Sequence, residues 1–382
     1  MLSDLLRAEL ATEGIRVAAP VSREGGAGPT GDAHVVIDGW TAALPVSMES
    51  RFSLKDGKLW LENEDLGVNA TPIARPRFYD ELSSDGIPMH KLARLHGAGV
   101  LATTVVQSCV RYSPDQRCRY CSIEESLATS GTTRVKTPAQ LAEVARAAVE
   151  LDGVRQMVMT TGTAASSDRG ARYLARCAAA VSTAQPGLPI QLQCEPPSDL
   201  AVLSTLRRAG AASIGIHVES FDDAVRSRWL PGKAQVPIEE YWRAWEKAVE
   251  VFGWNRVSTY LLVGLGEDPE ALVQGAARLI EMGVYPFVVP VRPGKNTLAA
   301  KDGLRPPSSQ YLASVSLRVQ HLLEAAGMDA AGQSAGCAAC GACSTLGASE
   351  LRAAVAVSVG SPKQKTTPAS HPLALGIQRS LG

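Results

Sequence analysis

The spacing of apolar and polar positions differs along the chain. From about residue 98 onward, short runs rich in β-branched or other apolar residues are separated by longer stretches with a helical apolar face. The short runs predict strands over residues 101–108, 154–160, 189–194, 213–218, 257–263 and 286–291. Because each strand is followed by a helical pattern, the alternation favours a parallel sheet built from β-α units.

The helical patterns carry matching end signals. In the first of them Thr137 is a capping residue, Pro138 suits the first helical position, and Gln140 can close a capping box. Gly153 then ends the helix. Further helices are predicted over residues 168–184, 198–209, 238–252, 268–282 and 307–326. Successive right-handed β-α units favour a partial TIM-like (β/α)6 barrel over an open doubly wound sheet.

The barrel pattern is flanked by segments of different character. The N-terminal segment has short alternating runs at 34–37, 51–54 and 58–61, broken by Gly, Asp and Pro, which indicate a small β-rich or α+β domain. After the barrel come a helix, a cysteine-rich segment and a stretch rich in Ser, Pro and Lys that predicts a poorly ordered tail. The expected domains are residues 1–97, 98–300, 301–350 and 351–382.

Composition narrows the class of partner. The 382 residues are 45% hydrophobic, which is enough for a substantial core. Lys plus Arg and Asp plus Glu each number 38, so no net charge favours a nucleic-acid polymer or an anionic membrane. Acidic residues near the start argue against a secretory signal, and no stretch is long and uncharged enough to span a bilayer. We therefore expect a cytoplasmic protein that acts on a small molecule.

Six of the eight cysteines form two clusters. In a reducing compartment, clustered cysteines are more often metal ligands than disulfides. Three thiolates favour zinc, Cu(I) or an iron–sulfur cluster, and a trio leaves one coordination site open. The first trio directly follows the first predicted strand, where barrels carry their active sites. The trios are Cys109, Cys118 and Cys121, and Cys337, Cys340 and Cys343.

Zinc is the alternative occupant of both trios. Structural zinc needs four closed ligands, and His90 or His96 is a candidate to complete such a site at the first trio. The second trio places three thiolates within seven residues, a spacing that favours an iron–sulfur cluster over a zinc ribbon. Its fourth ligand stays open, and the candidates are Ser344, Ser334, Cys194, an arginine or the substrate.

The first trio, with the aromatic Tyr120 before its last cysteine and a six-strand β/α pattern around it, resembles the radical S-adenosylmethionine (radical SAM) superfamily. The resemblance covers roughly residues 97–298. It implies that the three cysteines hold a [4Fe–4S] cluster whose open iron binds S-adenosylmethionine (SAM), and that reduction cleaves SAM to methionine and a 5′-deoxyadenosyl radical. Eight residues separate Cys109 from Cys118 where the superfamily usually has three. A longer loop costs little closure entropy.

The resemblance also implies SAM contacts at the ends of later strands. The turn after the second strand corresponds to a Gly-Gly-Glu-like turn, the acids after strands three and four would meet the ribose or amino group, and an arginine would pair with the carboxylate. A glycine turn after strand five would approach the adenine. The residues concerned are Tyr120, Thr161, Gly162, Thr163, Glu195, Glu219, Arg228, Gly264 and Gly266. Helix capping is the alternative role for Glu219.

The chain resembles the biotin synthase and lipoyl synthase branch of the superfamily, and radical SAM proteins encoded beside nitrilases. This implies that the second trio holds an auxiliary iron–sulfur cluster, expected to be [4Fe–4S]. We therefore predict an enzyme that abstracts hydrogen from a small polar metabolite and inserts sulfur from that cluster, with electrons from a donor such as flavodoxin or ferredoxin. The expected substrate contacts are His217, Tyr260, Arg292 and Lys295.

Two other functions stay open at this point. In the first, the same radical chemistry leads to dehydrogenation or rearrangement, and the auxiliary cluster transfers electrons. In the second, of a different class, both trios bind zinc and the chain is a binding module without catalysis.

Overall fold

The computed structural model describes residues 2–17, 32–294 and 296–346. The predicted tail and Lys295 therefore lie outside the described residues. The strands are β1 (Asp32–Ile37), β2 (Trp40–Pro45), β3 (Phe52–Lys55), β4 (Lys58–Leu61), β5 (Glu64–Pro72), β6 (Arg94–His96), β7 (Val100–Thr104), β8 (Gln156–Thr160), β9 (Ile190–Gln193), β10 (Ala211–Gly215), β11 (Val257–Val263) and β12 (Val284–Pro290).

The helices alternate with strands from β7 onward. Short 3-10 turns cover Arg77–Asp80, Met89–Lys91 and Ala331–Gln333. The α-helices are α1 (Asp4–Glu13), α2 (Glu125–Ala128), α3 (Pro138–Asp152), α4 (Ala171–Ala184), α5 (Ala201–Arg208), α6 (Asp223–Trp229), α7 (Pro231–Ala234), α8 (Ile238–Phe252), α9 (Pro269–Glu281), α10 (Leu298–Lys301), α11 (Ser309–Ala325) and α12 (Cys337–Cys340).

The larger sheet is a half-barrel. Strands β7 to β12 are parallel and lie side by side in sequence order, while β6 pairs antiparallel with β7 at one edge. The strand predicted over 257–263 and the helix over 238–252 are found with those bounds. The first parallel strand ends at Thr104 and not at Ser108, because the residues after it pair with the segment 134–136 instead. Gln107 N–H donates to Arg134 O at 2.7 Å, and Lys136 N–H donates to Val105 O at 2.9 Å. The prediction of a partial TIM-like barrel is confirmed.

The two faces of this sheet differ in polarity. Successive side chains of a strand point to opposite faces. On one face Met157, Ile190 and Leu192 are buried in the apolar core that the helices complete. On the other face, buried polar side chains replace the apolar layers that usually fill a barrel. These are Gln191, Gln193, Ser213 and Ser258. A face of this kind requires hydrogen-bond partners inside the half-barrel.

The smaller sheet is antiparallel, in the order β2-β1-β5-β4-β3, with α1 against β2. Its own apolar cluster includes Leu10, Val35, Phe52 and Leu59. The predicted runs at 34–37, 51–54 and 58–61 correspond to β1, β3 and β4, whereas α1, β2 and β5 are additional elements. The turn between β1 and β2 holds Asp38 and Gly39 at φ 45° and 82°. Asp-Gly is the sequence signal of such a hairpin.

The described part of the chain contains no helix with the length and apolar character needed to cross a membrane.

The cap of α3 provides a test of the local fold. Thr137 Oγ1 accepts from Gln140 N–H at 3.2 Å, and the Gln140 side chain accepts from Thr137 N–H at 2.8 Å. Thr137→Ala removes one of these bonds and should lower the free energy of unfolding by about 1 kcal/mol. Thr183→Ala, at an exposed position inside α4, is the matched control and should change it by less than about 0.5 kcal/mol. Equal effects in chemical denaturation would contradict the capping role.

Candidate active site

The loop that carries the first trio lies at the carboxyl edge of the half-barrel, against the turn that follows β8. Gly162 N–H donates to Val106 O at 2.9 Å, and Val110 N–H donates to Thr163 O at 2.9 Å. A Cβ on Gly162 would come within 2.0 Å of Ser108 O, so only glycine allows this approach. Gly162 and Thr163 therefore support the cysteine loop directly.

The three cysteines of this loop are free thiols. Burial raises the pKa of Cys118 well above its ordinary value. Burial also raises the pKa of Cys121 to about 11, and the neighbouring Cys109 thiol acts in the same direction. Ligation to a metal would replace the protons of these thiols. The donor set fits a three-cysteine iron–sulfur site.

Tyr120 links this loop to the strand ends on the other side. Its hydroxyl donates to Glu219 Oε2, while Glu219 Oε1 accepts from Lys233 Nζ at 2.6 Å. Both members of this ion pair are buried, with side chains 15% and 12% exposed. Burial alone would lower the pKa of Lys233, but the Glu219 carboxylate raises it well above the ordinary value. The Lys233 side chain therefore stays an ammonium group inside the protein.

Glu219 is held in a strained conformation. Its φ is 73°, a region that residues with a side chain seldom adopt. Two hydrogen bonds to β11 hold it there, one from its N–H to Tyr260 O at 3.0 Å and one from Leu262 N–H to its carbonyl at 2.9 Å. Strain of this kind concentrates at functional sites.

Glu195 forms a second charged cluster at the end of β9. Its carboxylate accepts from Arg111 at 3.1 Å and from the Thr163 hydroxyl at 2.9 Å, and Arg169 lies 3.8 Å away. The side chain of Glu195 is only 6% exposed, so both arginines offset a buried charge. Arg111 also donates to Gly232 O, next to Lys233. The two charged clusters thus flank the cysteine loop.

The remaining predicted SAM contacts are arranged differently. In the turn after β11, Gly264 N–H and Leu265 N–H donate to the Glu267 carboxylate at 2.8 and 2.7 Å, so the turn is closed by its own acid. Gly264 and Gly266 both have positive φ. Arg228 is exposed on α6, with its guanidinium 4.7 Å from the Trp229 ring centroid.

The predicted substrate residues His217 and Tyr260 lie in the interior. Their rings stack with centroids 4.1 Å apart, and Tyr260 N–H donates to His217 Nδ1 at 3.2 Å. Burial lowers the pKa of His217 to about 3, and the Lys233 ammonium adds to this effect. The ring is therefore neutral. Its Nε2 is buried and makes no hydrogen bond to the described residues.

The second trio enters the same interior from the other end of the strands. Gly336 N–H donates to Gln156 at the start of β8, and Ser213 donates to Ala335 O at 2.8 Å. The sulfur of Cys337 then accepts from the Tyr260 hydroxyl at 2.8 Å and from Gln193 Nε2 at 3.2 Å. The polar face of the sheet thus holds the C-terminal segment.

The neighbours of Cys340 and Cys343 differ from those expected. His96, considered above for the first trio, lies instead beside the second, with its ring nitrogens 3.4 Å from each of these two sulfurs. Arg292 contacts Cys343 and Asp32. Cys194 is near Glu195, Arg169 and Asp168, and burial raises its pKa to about 12.

Among the described residues, no three His, Cys, Asp or Glu side chains converge as the ligands of a single metal ion.

Sequence reasoning did not identify four of the polar residues at this site. They are Arg111, Arg169, Gln193 and Lys233. No motif marks them, because each gains its role only by contact with a distant residue. For Gln193 a signal was present, since Gln191 and Gln193 alternate with apolar residues in β9.

Part of the half-barrel matches a known protein family. Residues 114–279 match the model of the radical SAM superfamily. The chain carries a radical SAM domain. The matched segment contains Cys118 and Cys121 and begins after Cys109. The radical SAM domain thus includes the strand ends that carry Glu195, Glu219 and the turn at Gly264.

Individual relatives are distant. The chain is similar to the bacteriochlorophyllide c C-7(1)-hydroxylase of Chlorobaculum limnaeum, with 28% identity over 139 residues. This match covers 35% of the chain, and the chain spans about a third (33%) of the length of that curated relative.

Among solved structures, methylornithine synthase (PylB) aligns over 58% of this chain and 61% of its own, with 17% identity and a TM-score of 0.43. The [FeFe]-hydrogenase maturase HydG aligns over 60% of this chain and 50% of its own, with 15% identity and a TM-score of 0.46.

The buried ion pair can be tested by removing one charge. Lys233→Met leaves the Glu219 carboxylate buried without its cation, and we expect a loss of about 3–5 kcal/mol in the free energy of unfolding. The matched control is Lys247→Met, because Lys247 pairs with Glu250 at 2.7 Å on the surface. That variant should lose at most about 1 kcal/mol. Similar losses in urea titrations of the two variants would show that Glu219 is not held as a buried charge.

The close approach at Gly162 gives a second test. Gly162→Ala forces the new methyl group against Ser108 O, which should destabilise the protein by about 1–3 kcal/mol. It should also reduce the iron bound by the first trio after anaerobic reconstitution, because the loop must move. Gly187→Ala, where a Cβ meets nothing within 4 Å, is the control and should bind iron normally. Full iron loading of Gly162→Ala would refute the supporting role.

Proposed function

We propose that this protein is a radical SAM enzyme that abstracts hydrogen from a small polar metabolite and inserts sulfur from an auxiliary [4Fe–4S] cluster held by the second trio. The observation that carries the proposal is the position of Cys337. Its sulfur contacts Tyr260 and Gln193 on the inner face of the half-barrel. The second trio therefore faces the same interior as the strands that carry the first trio at their carboxyl ends.

The first trio would hold the SAM-binding cluster. With SAM on its open iron, such a cluster supplies the electron that cleaves SAM to methionine and a 5′-deoxyadenosyl radical. Around this site the chain provides Tyr120, the turn Thr161, Gly162 and Thr163, and the acids Glu195 and Glu219. The turns at Gly264 and Gly266 complete the set that the resemblance implies.

The two charged clusters suit the amino and carboxylate groups of SAM. Arg111 and Arg169 lie on Glu195 inside the protein, where a carboxylate ligand would gain charge-assisted hydrogen bonds. These two arginines replace the exposed Arg228 as our candidates for the SAM carboxylate. Glu195 and Glu219 would accept hydrogen bonds from its amino group.

The substrate would lie between the two trios. His217 Nε2 is a buried polar atom that makes no hydrogen bond to the described residues, and such atoms require a partner. Since Nδ1 accepts from Tyr260 N–H, Nε2 carries the proton and is a donor for a substrate oxygen. Arg292 offers a guanidinium to an anionic group, and Lys295 stays a predicted contact.

The second trio would then supply sulfur. Its cluster would provide a sulfide that bonds to the substrate carbon after hydrogen abstraction, with one electron passing to iron. Tyr260 and Gln193 donate hydrogen bonds to the Cys337 sulfur and would keep it in place during this change. The enclosed interior limits the access of water to the radical.

Oxidation is the second candidate. Cys337, Tyr260 and His217 form a continuous series of contacts, and Lys233 joins His217 to Glu219 through bonds of 3.0 and 2.6 Å. These contacts could carry an electron from a substrate radical to an auxiliary cluster at Cys337. The name of the Chlorobaculum limnaeum relative, a hydroxylase, also points to oxidation.

The proposed enzyme needs an external electron donor such as flavodoxin or ferredoxin. It also needs a reducing compartment, because six cysteines must stay available as ligands. We therefore place it in the cytoplasm.

The two candidates predict different products. Protein reconstituted anaerobically with iron and 34S-sulfide should, with SAM, reductant and a panel of small polar metabolites, release 5′-deoxyadenosine and a product that contains 34S. The variant with Cys337, Cys340 and Cys343 all changed to Ala should keep 5′-deoxyadenosine release and lose the sulfur product. Cys177→Ala, a buried cysteine of α4, is the control. A sulfur product from the triple variant would exclude sulfur insertion from this cluster, and an oxidised product without 34S would support the second candidate.

A further inference from the structure

His96 is the histidine that the fold brings to the second trio. It ends β6, the antiparallel edge strand, where it pairs with Val100. Its Nδ1 lies 3.4 Å from Cys340 Sγ and its Nε2 lies 3.4 Å from Cys343 Sγ. These cysteines are 244 and 247 residues away in the sequence. Imidazole nitrogen is a ligand for iron in proteins and replaces cysteine in some iron–sulfur centres.

The other candidates near the trio are already engaged. Arg292 donates to Ala43 O at 2.7 Å and pairs with Asp32 at 3.4 Å, and a charged guanidinium has no lone pair to give. The Ser344 hydroxyl donates to Val288 O and accepts from Leu346 N–H. The Tyr260 hydroxyl donates to Cys337. Cys194 lies with Arg169 and Asp168.

The surroundings of His96 hold its ring in place. The His34 ring of β1 meets it edge-on, with centroids 4.9 Å apart, and His34 Nδ1 accepts from Gly97 N–H at 3.1 Å. A Cβ on Gly97 would lie 3.1 Å from Cys340 Sγ, so this backbone approaches the trio closely. Ala43 N–H of β2 donates to Ala342 O at 2.7 Å. The N-terminal sheet thus packs against both His96 and the cysteine segment.

We propose that His96 is the fourth protein ligand of the iron–sulfur cluster held by Cys337, Cys340 and Cys343, positioned by His34 of the N-terminal sheet. This inference rests on the proposed function, which places a cluster at the second trio. Four protein ligands leave no iron of that cluster open to the substrate. The cluster then acts through its sulfide or its electrons, and the substrate must be held by the barrel residues.

The test isolates the second site in the full-length chain. Changing Cys109, Cys118 and Cys121 to Ala removes the first cluster, so the remaining iron and sulfide report on the second trio. In this background, protein labelled with 15N-histidine should show, in pulsed EPR of the reduced cluster, the coupling of a directly bonded nitrogen. His96→Ala should abolish that coupling and release iron to a chelator at least about tenfold faster.

Two further variants complete the design. His96→Cys should retain iron and lose the nitrogen coupling, because a thiolate can replace imidazole as a ligand. His90→Ala is the matched control, since His90 is half-buried on a short turn and contacts Tyr79 O. It should change neither quantity.

The outcomes separate the two proposals. Iron and sulfide bound in the background without nitrogen coupling, or coupling that persists in His96→Ala, would overturn the role of His96 alone. A background protein that binds no iron and sulfide would overturn the auxiliary cluster itself, and with it the ligand assignment.

Discussion

The arrangement of the whole interior follows from the need to satisfy buried polar groups on the inner face of the half-barrel. Gln191 and Gln193 are buried, and each loses solvent that must be replaced by protein hydrogen bonds. They bond to each other at 2.8 Å, and both bond to Cys337. An apolar barrel core would have excluded the C-terminal segment, whereas this polar face binds it. The second trio reaches the centre of the molecule for that reason.

At the carboxyl edge of the half-barrel, acidic side chains are paired with basic ones. Glu195 and Glu219 are buried acids, and each is offset by cations from other parts of the chain. A buried ion pair gives little net stability, because desolvation consumes most of the attraction. Its retention here is therefore better explained by function. The strained φ of Glu219 also supports a functional role, because such strain is concentrated at functional sites.

The N-terminal sheet contacts Arg292 and the segment that carries the second trio. Asp32 pairs with Arg292, and Ala43 bonds to both Arg292 and Ala342. Together with His34 beside His96, these contacts give the sheet a physical role, which is to hold the segment that carries the second trio. Its antiparallel strands have their own apolar core.

The sequence alone determined the features that depend on local order: the period of the strands and helices, the capping box at Thr137, and the spacing of both cysteine trios. It also placed the first trio at a strand end, because parallel strands carry their loops at a common edge. Only the tertiary structure decided that His96 lies beside the second trio, that Lys233 pairs with Glu219, and that Arg228 faces solvent. These contacts join residues far apart in the chain, and their geometry depends on how the sheet curls and packs. No local pattern encodes that curvature.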